Sequence, residues 1–225
     1  MTVALRKGSK VIDFNVKVDN KGLSHRLCVV FDSQIVSAFN YADQQFGLIK
    51  RPNYYEKEMK LYMESMNNKT EKKAGIQELA NWANDQSTWQ EPPISIEPTQ
   101  SYVSLTDGKT GVAVIPQGVR EYEVLDDSKI RLTLFRTYGF MGKENLIYRP
   151  GRASGERIIE TPAAQLLKEM EFNFGFTSYA GDINDSDIDT LAKQYDTNME
   201  VYTYAEFLNG RLIFSQREIE GKNDI

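Results

Sequence analysis

Apolar and polar residues alternate along much of this chain with the two-residue period of a half-buried strand. Val11-Ile-Asp-Phe-Asn-Val-Lys-Val18 is the first clear run, Asp19-Asn20-Lys21-Gly22 supplies turn chemistry, and Arg26 to Phe31 returns as a second strand. Val11 to Asp32 is therefore predicted to be a β-hairpin. The same alternation resumes after Ile94. Ser101 to Leu105 and Val112 to Ile115 are predicted to pair around Asp107-Gly108, and Glu121 to Leu125 with Ile130 to Phe135 around Asp126-Asp127-Ser128. Leu166 to Phe176 reads as a further strand with Phe172, Phe174 and Phe176 on one face. Asp185 to Tyr195 reads as a short helix with Asp or Ser at its start. A last hairpin is expected over Val201 to Phe207 and Arg211 to Gln216, turned at Asn209-Gly210. Short strands with frequent turn signals point to an antiparallel β-sandwich.

The stretch from about Asp43 to Pro93 breaks this pattern. Tyr54 to Met66 is polar and aromatic, Asn67 to Lys73 is charged, and Ile76, Leu79, Ala80 and Ala83 keep helical spacing. It reads as a long excursion over the surface of the β domain. Trp82 and Trp89 within it read as loop anchors before they read as sugar platforms.

Composition narrows the function classes. The 225 residues suffice for one large β domain or two small domains. A net charge of −5 argues against nucleic acid as a partner. No run approaches the roughly 18 apolar residues of a membrane span. The N-terminus lacks the apolar core of a secretory signal and moves directly into a strand pattern, as expected of a chain that begins inside a fold. The single cysteine, Cys28, allows no intramolecular disulfide and sits in an apolar strand, so a cytoplasmic location and an inert thiol are expected.

The chemistry-bearing patterns are few. Glu121 and Glu123 share a strand face, Asp126 and Asp127 sit in a turn, and all four read as solvated carboxylates. One histidine, His25, and one cysteine are too few for a catalytic zinc site. Asp182 to Asp187 lacks the glycine and glutamate of a calcium loop and reads as helix capping. Gly108 and Gly111 lack the spacing of a phosphate loop and read as hairpin glycines. Asn68-Lys-Thr70 and Asn184-Asp-Ser186 match a glycosylation acceptor by chance. What remains is the loop after Phe135, which carries Arg136, Lys143, Arg149, Arg152 and Arg157 among glycines and a proline. Guanidinium groups offer planar donors to sugar hydroxyls or a carboxylate, and Gly151 and Gly155 let backbone approach a ligand.

Several segments in this order carry a resemblance. They are Asp19-Asn20 followed by His25-Arg26-Leu27, Gly111-Val-Ala-Val, Glu121-Tyr-Glu-Val, Leu132-Thr-Leu-Phe-Arg136, Arg149-Pro-Gly-Arg-Ala153 and Thr161-Pro-Ala-Ala-Gln165. Together they resemble the C-terminal β region of glycoside hydrolase family 38, the α-mannosidases, and look most like its bacterial mannosylglycerate hydrolase-like branch. The resemblance spans Val11 to Phe31 and Ile94 to Gln216. It implies a mainly β chain, an antiparallel sandwich resembling the galactose mutarotase-like supersandwich with one or two short helices. Residues 1–225 would form a single C-terminal domain of a larger enzyme that cleaves α-mannosides with retention. The family's aspartate nucleophile and zinc ligands lie in an N-terminal α/β domain, so the resemblance implies no cofactor here and zinc in the parent. This chain by itself is then expected to be inactive. Its partners would be the parent's catalytic and helical domains and a carbohydrate substrate, and a homodimer is another way to cover its exposed faces. The family's β region lends an arginine and a tyrosine to the cleft rim. Arg152 aligns with that arginine, Arg149 and Tyr148 accompany it as substrate-binding candidates, and Tyr138 is also within reach of the tyrosine role. The rival reading is a free-standing, non-catalytic carbohydrate-binding β-sandwich.

Overall fold

The computed structural model describes residues 1–69, 92–142, 145–146, 149–150 and 158–197. Among these, two antiparallel sheets face each other. The larger has seven strands in the order β1 (Thr2–Leu5), β2 (Ile12–Asp19), β15 (Glu169–Ala180), β8 (Thr110–Gln117), β7 (Val103–Thr106), β4 (Phe39–Gln44) and β5 (Gly47–Pro52). The smaller has four, in the order β3 (Arg26–Asp32), β10 (Lys129–Arg136), β9 (Glu121–Leu125) and β6 (Glu97–Pro98). Two helices are described, α1 (Glu56–Lys69) and α2 (Ile188–Asp196). The expected β-sandwich with short helices is the fold found.

The core lies between the sheets. Phe14, Val103, Leu105, Val114 and Phe174 come from one sheet, and Phe31, Tyr122, Val124, Ile130 and Leu132 from the other. Phe31 stacks on Phe176 with centroids 5.4 Å apart and meets the edges of Phe14 and Phe174 at 5.5 and 5.7 Å. Burying such a ring is worth about 1.5–3 kcal/mol. The seven-stranded sheet is covered at one end on its outer face too. There Ile188 and Ala192 of α2, with Ile183, pack on Tyr102, Ala113 and Ile115. Strands β7 and β8 are therefore buried on both faces; β8 accordingly runs apolar from Val112 to Ile115, whereas β7 keeps its alternation by burying Ser104 and Thr106, whose hydroxyls donate to the carbonyls of Val112 and Thr110.

The predicted hairpin over Val11 to Asp32 is corrected. Both strands form, but β2 pairs with β15 and β3 pairs with β10, in different sheets. Each strand presents its apolar face to one shared core from opposite sides, so Phe14 and Phe31 meet across the sandwich. The turn residues serve a crossing between sheets. Asn20 is buried and its amide donates to the carbonyls of Gln165 and Leu166 at 2.9 and 3.0 Å.

The hairpins at Asp107-Gly108 and Asp126-Asp127 form as expected, as β7–β8 and β9–β10. Asp126 and Asp127 both take positive φ, 51° and 55°, in a three-residue connection closed by the Ser128 N–H donating to the Leu125 carbonyl at 3.1 Å. Residues 39–52 differ from expectation: β4 and β5 pair along their length and extend the large sheet, so the stretch read as an excursion starts after Pro52. Helix α1 follows, anchored by the buried ring of Tyr62. Trp82, Trp89 and the last predicted hairpin lie outside the described residues.

Gly111 shows how close the packing is. It sits opposite Tyr179 on β15, and a Cβ placed there would lie 2.0 Å from the Tyr179 ring. That ring's hydroxyl bonds Ser104 Oγ at 2.7 Å. Gly111→Ala should displace Tyr179 and destabilise the fold by about 1–3 kcal/mol. Thermal melts of the two proteins check it, and an unchanged midpoint would refute the packing argument.

Candidate functional site

Strand β10 delivers the chain to the loop singled out by its cations. At Thr133/Phe135 the β10–β3 register shifts, a bulge that adds one residue and turns the strand end. Arg136 then points to the outer face and Thr137 caps the strand, its backbone N–H donating to the carbonyl of His25 at 2.8 Å. Beyond it, β11 (Phe140–Met141) pairs with β14 (Ile159–Glu160), and further out β12 (Asn145–Leu146) pairs with β13 (Arg149–Pro150). A narrow two-stranded pairing, β11 with β14, thus leaves the sandwich after the four-stranded sheet.

The root of this ribbon is tied down by polar contacts. Gln165 accepts from Ser24 N–H at 2.7 Å and donates to Ser24 Oγ at 3.1 Å. Thr137 Oγ1 lies 3.2 Å from His25 Nδ1, and the His25 ring packs edge-on against Phe135 at 5.4 Å. The ribbon itself is bare. Tyr138, Phe140, Met141, Ile158 and Ile159 are each about half exposed. Met141 and Ile159 are direct cross-strand partners, and Phe140 lies on the alternate position, so apolar groups emerge on both faces. A lone two-stranded ribbon is marginal in water. A bare apolar patch of this kind marks an interaction surface.

Arg149 contributes backbone to β13; Arg152 and Tyr148 lie outside the described residues, as do Lys143 and Arg157. Arg136 is already engaged: its Nε and Nη2 donate to Glu121 Oε1 at 3.0 and 2.8 Å.

That contact opens a ladder across the outer face of the four-stranded sheet, in the order Arg136, Glu121, Arg26, Glu123, Arg131. Arg26 Nε lies 3.3 Å from Glu121 Oε1 and donates to Thr133 Oγ1 at 2.8 Å. Its Nη2 is 2.6 Å from Glu123 Oε1 but out of hydrogen-bond alignment. Arg131 Nε donates to the same Glu123 oxygen at 2.7 Å. Glu121 and Glu123, read from sequence as solvated, are therefore corrected: both are clamped by guanidinium groups, and only 9% of the Glu123 side chain is exposed. Burial works against the charge on Glu121, and the Arg136 guanidinium together with Thr133 and Arg26 outweighs it, holding the carboxyl below its ordinary range. Sequence spacing could not reveal the ladder, because Arg26 is a strand partner of Arg136 from over a hundred residues away.

At the other end of the sandwich a second polar network is satisfied internally. Tyr122 donates to Asn40 Oδ1 at 2.6 Å, Asn40 donates to Asn53 at 2.9 Å, and Tyr55 donates to Glu97 at 2.7 Å. Burial, then the bond to Glu97, pushes the Tyr55 hydroxyl up to about 12. Among the described residues no three His, Cys, Asp or Glu side chains come together to hold a metal. Cys28 is partly buried and lies 3.7 Å from Thr133 Oγ1.

The family described as Glycosyl hydrolases family 38 C-terminal domain matches residues 1–140, and the chain belongs to that family. A relative from Halalkalibacterium halodurans, provisionally named mannosylglycerate hydrolase, is 26% identical over 198 residues, covering 88% of this chain and 17% of its own length. An α-mannosidase structure from Enterococcus faecalis V583 superposes with a TM-score of 0.61 at 23% identity, over 86% of this chain and 17% of that one. A second Enterococcus faecalis structure, a protein in glycosyl hydrolase family 38, gives 0.60 at 22% identity over the same shares. The chain spans about one sixth of the length of these relatives.

Two predictions follow from the charges. Glu123→Gln should cost about 1–3 kcal/mol, because two half-buried guanidinium groups lose their shared partner. Asp189→Asn, which breaks the exposed i,i+4 pair with Lys193, should cost less than about 0.5 kcal/mol. Denaturant titrations of both variants check the contrast, and equal costs would show that burial does not strengthen the ladder.

The second concerns pH. Asp107 is held low by the N–H groups of Thr110 and Lys109, Glu171 by the Asn15 amide, Asp182 by Asn184 and Asp187 by the Lys10 ammonium. With Glu121, these depressed groups contribute stability above their ordinary values that is lost as pH falls through the lower folded values. Tyr55, Tyr102 and Tyr195 are raised to about 12, chiefly by burial, so their contribution is full below about 10 and is lost as pH rises toward 12. Melting temperature should therefore hold through neutral pH and fall on both sides. A midpoint that keeps rising below pH 4 would contradict this.

Proposed function

We propose that this chain is the C-terminal β-sandwich of an α-mannoside-cleaving, retaining glycoside hydrolase, and that its ribbon braces the catalytic part of that enzyme. The observation that carries the reading is the ribbon itself: the β11–β14 pair is apolar on both faces and about half exposed, and the arginine-bearing segment joins its two strands in sequence. The relatives supply its setting, since they continue well beyond the part this chain matches. Family membership favours this reading over a free-standing carbohydrate-binding sandwich.

On this reading the apolar ribbon buries itself against the catalytic domain and brings the arginine loop to the rim of the cleft. Arg152 donates to a substrate hydroxyl or carboxylate there, with Arg149 and Tyr148 beside it. The carboxyl pair that a retaining glycosidase needs, about 5 Å apart, belongs to the other domain. The donor set among the described residues does not fit zinc, so the metal of the family also belongs there and no step is assigned to it here.

In the full-length enzyme Arg152→Ala should lower kcat/KM about ten- to a hundredfold, the worth of one charge-assisted hydrogen bond, with the melting temperature unchanged. The 225-residue chain by itself should turn over no aryl α-mannoside, with or without zinc. A full-length Arg152→Ala enzyme with undiminished kcat/KM removes the arginine from the site. Turnover by the isolated chain that is lost on mutating one of its own carboxylates would overturn the division of labour.

A further inference from the structure

The outer face of the seven-stranded sheet holds an open groove of about 1050 Å³, large for a small-ligand site. Its floor is set by strand register. Asn15 on β2 lies opposite Asn173 on β15, and Asn173 lies opposite Gln117 on β8. Thr2 on β1 extends this row to a fourth strand. Three carboxamides thus stand side by side, one per strand, on the face turned away from the core.

Their hydrogen bonds are directional. Asn15 Nδ2 donates to Glu171 Oε1 at 2.6 Å and to Asn173 Oδ1 at 2.7 Å. Gln117 Nε2 donates to the Tyr195 carbonyl at 2.8 Å. A primary amide has two N–H donors and an acceptor oxygen. Both N–H groups of Asn173, one N–H and the oxygen of Gln117, and the oxygen of Asn15 are left without partners among the described residues. The amides are held in position by these bonds and line the groove.

The next row of the floor is small. Ala4 on β1, Asp13 on β2 and Gly175 on β15 stand in register. A Cβ at Gly175 would come within 3.1 Å of the Tyr195 ring, so the glycine lets that ring lie close over the floor. The Asp13 charge acts on the Tyr195 hydroxyl, and Arg6 approaches Asp13 at 3.5 Å. At the rim Lys10 pairs with Asp187, whereas Lys7 has no ion-pair partner among the described residues.

From this we infer that the groove is a saccharide-binding site, with the amide row of Asn15, Asn173 and Gln117 taking the vicinal hydroxyls of a pyranose ring and the Lys7 rim favouring a sugar that carries a carboxylate. Asn173 is left to donate to a hydroxyl, Asn15 to accept from one, and Gln117 to do both. The Tyr195 ring adds an apolar wall for a sugar's C–H face. The groove opens on the large sheet, whereas the arginine ribbon leaves the chain after the small one, so this inference stands independently of the cleavage reading.

The test is a titration of the ¹⁵N-labelled 225-residue chain with methyl α-mannoside and with methyl glucuronide, read at the side-chain NH₂ resonances. Saturable shifts at Asn173 and Gln117 are expected with both sugars, with the glucuronide several-fold tighter at low salt and that advantage lost at high salt. Asn173→Ala should weaken binding about tenfold, the loss of one to two hydrogen bonds, while the backbone spectrum keeps its pattern. Gln117→Ala gives a second variant should the first disturb the strand. Absence of shifts at these amides with either sugar, or shifts that survive both variants, overturns the site. Equal affinity for the two sugars overturns the carboxylate preference.

Discussion

The insertion of Phe31 among Phe14, Phe174 and Phe176 is the contact on which the rest of the architecture depends. It fixes the separation of the two sheets and their relative position, because offset and edge-on ring contacts tolerate little sliding. It also forces β2 and β3 apart. Two strands whose apolar faces must meet across a core cannot also be neighbours in one sheet. The link between them becomes an arch, and the arch needs an internal hydrogen-bonding partner. Asn20 supplies it by bonding the carbonyls of Gln165 and Leu166. The ring cluster and the buried asparagine are thus two ends of one constraint, and the second fixes where the ribbon's return strand re-enters the sandwich.

From that point the ribbon's position is determined. β10 is held on one side by β3 and on the other by β9, and the Arg136 to Arg131 ladder stitches all three together on their outer face. The bulge at Thr133/Phe135 lets Phe135 stay in the core while Arg136 faces out to Glu121. Gln165, bonded to Ser24, closes the base from the other side. The foundation is overdetermined, whereas the ribbon is left bare. Polar contacts fix the root, and the described β11–β14 pair that leaves it carries exposed apolar side chains.

What the sequence reveals and what it hides follow from range. Local signals are honoured: Asp107-Gly108 and Asp126-Asp127 turn where turn chemistry places them, and the alternation of β9 and β10 becomes strands in register. Partners chosen at long range are hidden. Nothing in Val11 to Asp32 announces that its strands will pair with segments more than a hundred residues downstream, since turn residues look alike in a hairpin and in an arch. β4 and β5 were masked by polarity, because β5 is an edge strand whose Lys50 and Arg51 face solvent or cross to Glu97. Of the loop cations singled out, Arg136 proves to be a strut in the sheet's own ladder, and that role depends on Glu121 being brought opposite by a strand pairing.

The two outer faces of the sandwich resolve the same difficulty in opposite ways. A sheet face without a covering layer must present polar groups, and those groups either satisfy one another or wait for something else. On the four-stranded sheet, Arg26, Glu121, Glu123, Arg131 and Arg136 satisfy one another, so the face is chemically closed and its task is to hold strands together. On the seven-stranded sheet, α2 closes one end with Ile188 and Ala192, and beside it the amide row keeps donors and acceptors to spare. Charges at van der Waals distance must neutralise each other or forfeit their hydration, so a ladder of ions can hardly remain open. Neutral amides carry no such penalty, and a row of them can stay half-satisfied against water at little cost. The faces thus differ in degree: on the small sheet a continuous ionic ladder closes the face, whereas on the large one isolated pairs such as Arg6–Asp13 and Lys10–Asp187 stand beside amides whose spare donors and acceptors cost little to leave to water.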